Sequence, residues 1–228
     1  MGGSELLALL HLCDSLFPVG GFAYSDGLEA ATASGAIADA AGLRDWIDVC
    51  LAESIGRAEG PTVILAWSAF EARDWDAIAT LDAEVTALRP SATARRASRA
   101  MGLRLAATWQ TLYPDAALAR LVVRARDARR GPALPVAFAA VCASSGIDRR
   151  TSVEAFAYTR LAATMSSAMR LMPIGQTDAH RLLAATLARV PRAVDAMLAR
   201  GARAESFAPA MDIAAMSQQY LHSRLFRS

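Results

Sequence analysis

Gly42-Leu43-Arg44-Asp45-Trp46-Ile47-Asp48-Val49-Cys50-Leu51-Ala52-Glu53-Ser54-Ile55-Gly56-Arg57-Ala58 is the stretch that decides the class of this chain. Leu43, Trp46, Ile47, Cys50, Leu51, Ser54 and Ile55 recur at i, i+3, i+4, i+7, i+8, the spacing of one helix face, while Arg44, Asp45, Asp48 and Glu53 lie between them. Gly60-Pro61 predicts a break, with Pro61 at the first position of the next helix, which turns Ile64, Trp67 and Phe70 inward. The same 3.6-residue pattern extends in both directions. Ser4 caps a leucine-rich first helix, Asp74 and Asp115 each open a helix, and Pro90-Ser91 opens a long arginine-bearing one through about Leu112. Thr151-Ser152-Val153-Glu154 reads as a capping box with Thr151 as the cap, ahead of a helix that stops at Pro173. Gly201 to Pro209 is a polar linker of small residues, and a last helix from about Asp212 places Ile213, Met216 and Tyr220 on one side.

No window alternates apolar and polar with β-branched or aromatic enrichment, and no segment repeats at a fixed period. The expectation is an all-α fold of about ten helices. Residues 1–200 form a single globular domain, and residues 201–228 supply a linker, a short helix and a loosely attached C-terminal tail. With 228 residues, 54% of them apolar, the chain is long enough to bury a substantial core without staples. Its three cysteines form no CxxC and point to a reducing compartment. The longest nearly apolar run, Leu134 to Ala143, is far below the ~20 residues that span a bilayer, and the leucines near the start lack a basic flank and cleavage site. A soluble cytoplasmic protein is expected.

The net charge of +2 hides an uneven distribution. Residues 1–88 carry three arginines against fourteen acids, and residues 89–228 carry twenty-one against eight. Ten of those arginines fall within 89–130, and there is no lysine. An arginine-only segment suits bidentate recognition of carboxylate or phosphate, although 52 alanines and no lysine equally fit a GC-rich genome.

Catalytic signatures are missing: there is no GxGxxG, Walker lysine motif, GxSxG or HExxH. His11, His180 and His222 have no second ligand at metal spacing, so no metal site is expected in this chain. Three stretches stand out instead. Leu16-Phe17-Pro18-Val19-Gly20-Gly21-Phe22-Ala23-Tyr24-Ser25-Asp26-Gly27-Leu28-Glu29 reads as a glycine turn followed by a helix. Ser25 caps that helix and Glu29 lies one turn in, where the dipole favours a carboxylate; a plain helical corner explains the same residues. Arg170, in Met169-Arg170-Leu171-Met172-Pro173-Ile174-Gly175-Gln176, is the lone charge of an apolar run, either a helix-end charge or an interface anchor. Tyr220-Leu221-His222-Ser223-Arg224-Leu225-Phe226-Arg227-Ser228 is either a frayed end or a segment ordered by a partner, with Leu225 and Phe226 as anchors and the arginines for carboxylates.

In this order and spacing the three stretches resemble the urease accessory protein F (UreF) family. Phe17 to Glu29 is similar to the family's LPVGGFSYSQGLE signature, Arg170 to Gln176 to its second block, and Ser223 to Ser228 to its SRLFRS end. The resemblance implies an all-α, dimer-forming scaffold that catalyses nothing. It bridges accessory protein D (H in some organisms) and the GTPase accessory protein G, so that nickel is delivered into apo-urease after a GTP-linked rearrangement. Nickel is then handled by the complex, and no cofactor belongs to this chain. Partner contacts are implied at Pro18, Gly20, Gly21, Tyr24, Ser25, Gly27, Glu29, Arg170, Pro173, Gly175, Gln176, Tyr220, Arg224, Leu225, Phe226 and Arg227. Glu29 and Arg170 match positions engaged with the GTPase, and the tail matches a segment ordered against D/H. Asp26, Ala23, Gln218-Gln219 and His222 depart from the family pattern. Two other classes compete: an arginine-rich nucleic-acid binder using residues 89–130, and a small-molecule enzyme with Glu29 and Arg170 as acid/base and clamp. Neither nucleic acid nor a membrane is the expected partner.

Overall fold

A computed structural model describes residues 2–201 and 203–227. The described residues contain no strand, and the all-α expectation is met. The core is organised around α8 (Leu134–Ser144), which is apolar all round; Val136 through Cys142 are all buried. A helix without a polar face must be enclosed on every side. It is enclosed by α4 (Gly60–Glu71), α6 (Ala92–Leu112) and α9 (Arg149–Leu171). Gly102 lets α6 come close, since a Cβ there would lie 2.1 Å from the carbonyl oxygen of Pro132. Trp109 on α6 is buried and donates its indole N–H to Ser145 Oγ at 3.0 Å. Phe138 and Phe156 meet edge-on, each contributing about 1.5–3 kcal/mol by burial.

Local signals place most boundaries. Asp74, Ser91 and Asp115 cap α5 (Trp75–Ala87), α6 and α7 (Ala116–Asp127) through side-chain oxygens that accept the amides of Ala77, Ala94 and Leu118. The first helix, α1 (Gly3–Cys13), begins one residue ahead of Ser4, and Glu5 reaches back to the Gly2 amide. The capping box at Thr151 is corrected. Asp148 caps α9 by accepting both the Thr151 amide and the Thr151 hydroxyl, which leaves Glu154 to pair with Arg150. Three residues earlier, the aspartate offers a better acceptor than the threonine.

The break at Gly60-Pro61 is also corrected. From α3 (Ala40–Val49) the backbone continues through a π-helical section, Cys50–Glu59, directly into α4. The Gly60 amide donates to Ile55 O, five residues back, so the chain widens at the proline instead of ending. Because Pro61 has no N–H to offer, carbonyls in this section find partners elsewhere. Gly56 O accepts from the Arg200 guanidinium at 2.7 Å, and Arg57 O from the Glu205 amide at 2.8 Å. Arg57 also pairs with Glu205 at 2.7 Å, so the segment expected to be a free linker is fastened to the π section.

After α9 come α10 (Gln176–Leu187) and α11 (Val190–Ala199), then α12 (Pro209–Ser217), which starts three residues before Asp212. Ile213, Met216 and Tyr220 do share a side, but it faces solvent; Met211, Ala214 and Gln218 are the buried ones. No described helix is long and apolar enough to cross a membrane.

Candidate partner interface at the docked tail

The N-terminal motif uses its glycines at two positions. Gly20 adopts φ +75°, and the Arg104 guanidinium, bonded at 2.7 Å to Val19 O, occupies the space a Cβ would need. Gly27 adopts φ +90°, and a Cβ there would lie 2.7 Å from the backbone nitrogen of Ala215 on α12. Only glycine meets both demands, a left-handed backbone and contact with another helix's main chain. Gly21 has no positive φ and lies against Met101. Gly27 therefore sets α12 directly on α2 (Leu28–Ala33).

That contact brings Gln218 to Glu29. Glu29 is the second residue of α2, and at 6% exposure it is buried rather than solvated. Its carboxylate accepts three hydrogen bonds: from Gln218 Nε2 at 3.0 Å, from the Phe226 amide at 3.1 Å to Oε2, and from the Leu225 amide to Oε1. Gln218 Oε1 in turn accepts the Ser25 hydroxyl at 3.0 Å. Ser25 is a weak cap, since the Glu29 amide reaches its Oγ only at 3.5 Å and Gly27 stands at the cap position. The polarity is consistent throughout: an ionised carboxylate only accepts, and each group aimed at it donates.

The tail is thus held in place, in contrast to the loose attachment expected from its composition. Phe226 is 2% exposed, its ring lies 4.4 Å under the Arg170 guanidinium, and the Arg227 amide donates to Ala23 O at 2.8 Å. Arg170 occupies the last turn of α9, which bears out the helix-end reading, and its guanidinium also lies over an aromatic ring of the same chain. Tyr24 stands beside this junction, and its carbonyl accepts the Ser167 hydroxyl at 3.4 Å. Tyr220, at 81% exposure, Arg224, Leu225 and Arg227 are exposed, as are Ile213 and Met216 of α12. Pro18 is exposed at the first corner, and Pro173, Gly175 and Gln176 are exposed at the α9–α10 turn. Ser228 lies outside the described residues.

Beneath the junction runs an ionic chain that no motif or spacing announces. Arg160, at the middle of α9, pairs with Asp26 and, at 3.2 Å, with Glu59; Glu59 also pairs with Arg89. The Glu59 side chain is only 3% exposed and that of Arg160 17%. Burial opposes the charge on Asp26, but Arg160 and Arg89 outweigh it and hold the carboxyl below its usual range. Burial likewise opposes the charge on Arg160, and the Asp26 and Glu59 carboxylates overcome it, raising its pKa. A cavity of about 80 Å³ adjoins this chain, lined in part by Cys50, Ser54, Arg89, Met211 and Asp212.

Gln218, which bonds both Ser25 and Glu29, is the junction residue that the sequence marks only as a departure from a pattern. Its signal lies in the register of α12, where it follows Met211 and Ala214 on the buried side. Half of the ten arginines of 89–130 are engaged within the fold: Arg89 on Glu59, Arg95 on the carbonyls of Arg89 and Pro90, Arg99 on Asp82, Thr86 and Gly131 O, Arg104 on Val19 O, and Arg120 over Trp75, whereas Arg96, Arg124, Arg126, Arg129 and Arg130 are exposed. Among the described residues, no group of three histidine, cysteine or acidic side chains is placed to hold a metal ion. His11 hydrogen-bonds Tyr113 Oη at 2.9 Å within an aromatic cluster that includes Phe17 and Trp109.

Two comparisons bear on this arrangement. The profile described as UreF matches residues 37–187. A protein named urease accessory protein UreF from Dechloromonas aromatica (strain RCB) is 34% identical over 227 residues, covering 98% of this chain and 98% of its own length.

Proposed function

This chain belongs to the UreF family of urease accessory proteins, and from that premise we propose that it is a non-catalytic scaffold for urease maturation. Its N-terminal motif and tail form one surface for accessory protein D/H, and the end of α9 with the following turn engages the GTPase G. The assembly, with this chain as a homodimer, delivers nickel into apo-urease in a GTP-dependent step in the cytoplasm.

The observation that carries this proposal is the meeting of the N-terminal motif and the tail at the Glu29 junction, with Arg170 of the second block over the Phe226 ring, although the three are far apart in the chain. The exposed residues of the tail, Tyr220, Arg224, Leu225 and Arg227, have the aromatic, aliphatic and arginine character of protein-interface anchors. The competing classes find less support. Glu29 already accepts three hydrogen bonds and Arg170 lies on a phenyl ring, a poor arrangement for an acid/base and a substrate clamp. Several arginines proposed for nucleic acid grip their own loops instead.

The test is nickel content and activity of urease co-expressed with the other accessory proteins, with and without this chain, at matched urease expression. Restoration of both only in its presence is expected. Equal nickel loading without it, at limiting nickel, overturns the proposal.

A further inference from the structure

We propose that Glu29 is a positioning residue: its carboxylate templates the docked conformation of the C-terminal tail and acts on partner proteins only through that tail. A residue that touches a partner must present its polar atoms outward. Glu29 does the reverse, with 6% exposure and both carboxylate oxygens turned toward residues of its own chain.

The template has two parts. Oε1 and Oε2 each take one of two consecutive main-chain amides, Leu225 and Phe226, which fixes the path of the backbone whatever the side chains are. A side-chain contact then fixes the register: Phe226 enters the buried position beneath Arg170, and the Arg227 amide closes onto Ala23 O. Phe226 is thus inside, and its neighbours Leu225 and Arg227 are exposed. Gln218 completes the template by donating an N–H to Glu29, the orientation an acceptor-only carboxylate requires, while its Oε1 accepts the Ser25 hydroxyl. Residues of the N-terminal motif thus control which tail side chains are on display, without contributing a displayed group of their own at position 29.

Glutamine is a stringent substitution here. It keeps the size of glutamate but supplies one acceptor oxygen and one N–H₂ group, so one tail amide faces a donor. The experiment is hydrogen exchange of the C-terminal peptide in the full chain, for wild type, E29Q and F226A. Exchange at Leu225 and Phe226 is expected to accelerate roughly tenfold or more in E29Q, with α9 amides around Phe156 unchanged. Unchanged tail exchange in E29Q with intact helicity overturns the inference.

A second measurement reads the partner consequence and rests on the proposed scaffold function. In urease activation, E29Q combined with F226A is expected to lose no more than the worse single variant, because both undo one docking event. Losses that multiply would mean that Glu29 acts outside the tail, and overturn the inference. Failure of the wild-type chain to support activation overturns the scaffold function instead, and leaves the exchange result to decide the role of Glu29.

Discussion

Arg160→Met gives the most informative perturbation of the fold, because one side chain joins the N-terminal motif, the π section and α9. Its guanidinium pairs with Asp26 and Glu59, and methionine keeps the packing of the stem while removing the charge. Glu59 retains Arg89, but Asp26 loses its principal partner in a buried setting. Removing one member of a buried pair costs roughly 3–5 kcal/mol. Some relaxation toward solvent is available, since the Asp26 side chain is 25% exposed, so the lower end of about 3 kcal/mol is the appropriate figure. For a chain of this length that corresponds to a fall in Tm of about 6–12 °C, measured by circular dichroism at pH 7.

The pH dependence carries a sharper signature. In the wild type, burial raises the Asp26 pKa, but Arg160 and Arg89 more than offset it, and the folded value lies below the ordinary 3.8. Its contribution is therefore complete above about pH 4 and is lost as pH falls through the depressed folded value. In the variant, burial dominates and the folded pKa rises above the unfolded one. The uncompensated charge then destabilises at neutral pH, and the deficit shrinks as acid protonates Asp26. The Tm gap between wild type and Arg160→Met is expected to narrow between pH 7 and pH 4.5. A gap under about 2 °C at pH 7, or one that widens on acidification, would refute the account of Arg160 as the hub of a stabilising network.

Other predictions concern close approaches and thiols. Gly102→Ala should destabilise by about 1–3 kcal/mol in urea melts, because its Cβ meets the Pro132 carbonyl at 2.1 Å, a backbone atom with little room to yield. Gly42→Ala should stabilise by about 0.5–1 kcal/mol, its Cβ meeting Ile37 at an ordinary 3.5 Å inside α3; a loss of stability would contradict this. Gly27→Ala should push α12 off α2 and raise Arg-specific proteolysis at Arg203 and Arg224, while the α8 core stays folded. Burial pushes the thiols of Cys13 and Cys50 up to about 12 and that of Cys142 higher still. At pH 8 a disulfide reagent should therefore find no rapidly reacting thiol until denaturant is added, and one fast equivalent in the native state would contradict the burial.

Asp74, Ser91 and Asp115 were legible as caps because a cap is a bond across three residues, set by neighbours in the chain. The apolar stripe from Leu43 to Ile55 was legible for the same reason. Gly60-Pro61 was misread because the local rule assumes that a helix loses its unpaired carbonyls to water. Here the carbonyls of Gly56 and Arg57 are met by Arg200 and Glu205, and the helix survives as a π section. Arg160 gave no signal, since its partners lie 101 and 134 residues away.

The candidate site divides along the same line. Helical class and most element boundaries can be read straight from the residues, because periodicities and caps act within a few positions, and the three motifs are visible there as well. The packing of distant segments settles that Glu29 faces Gln218 across 189 residues, that Phe226 is the buried residue of the tail, and that Ile213, Met216 and Tyr220 face outward. Those outcomes depend on how α12 lies on α2, which is fixed by a main-chain contact at Gly27 that leaves no periodic trace in the sequence. Burial then turned a carboxylate that local rules assign to a solvated helix start into the acceptor that holds the end of the chain.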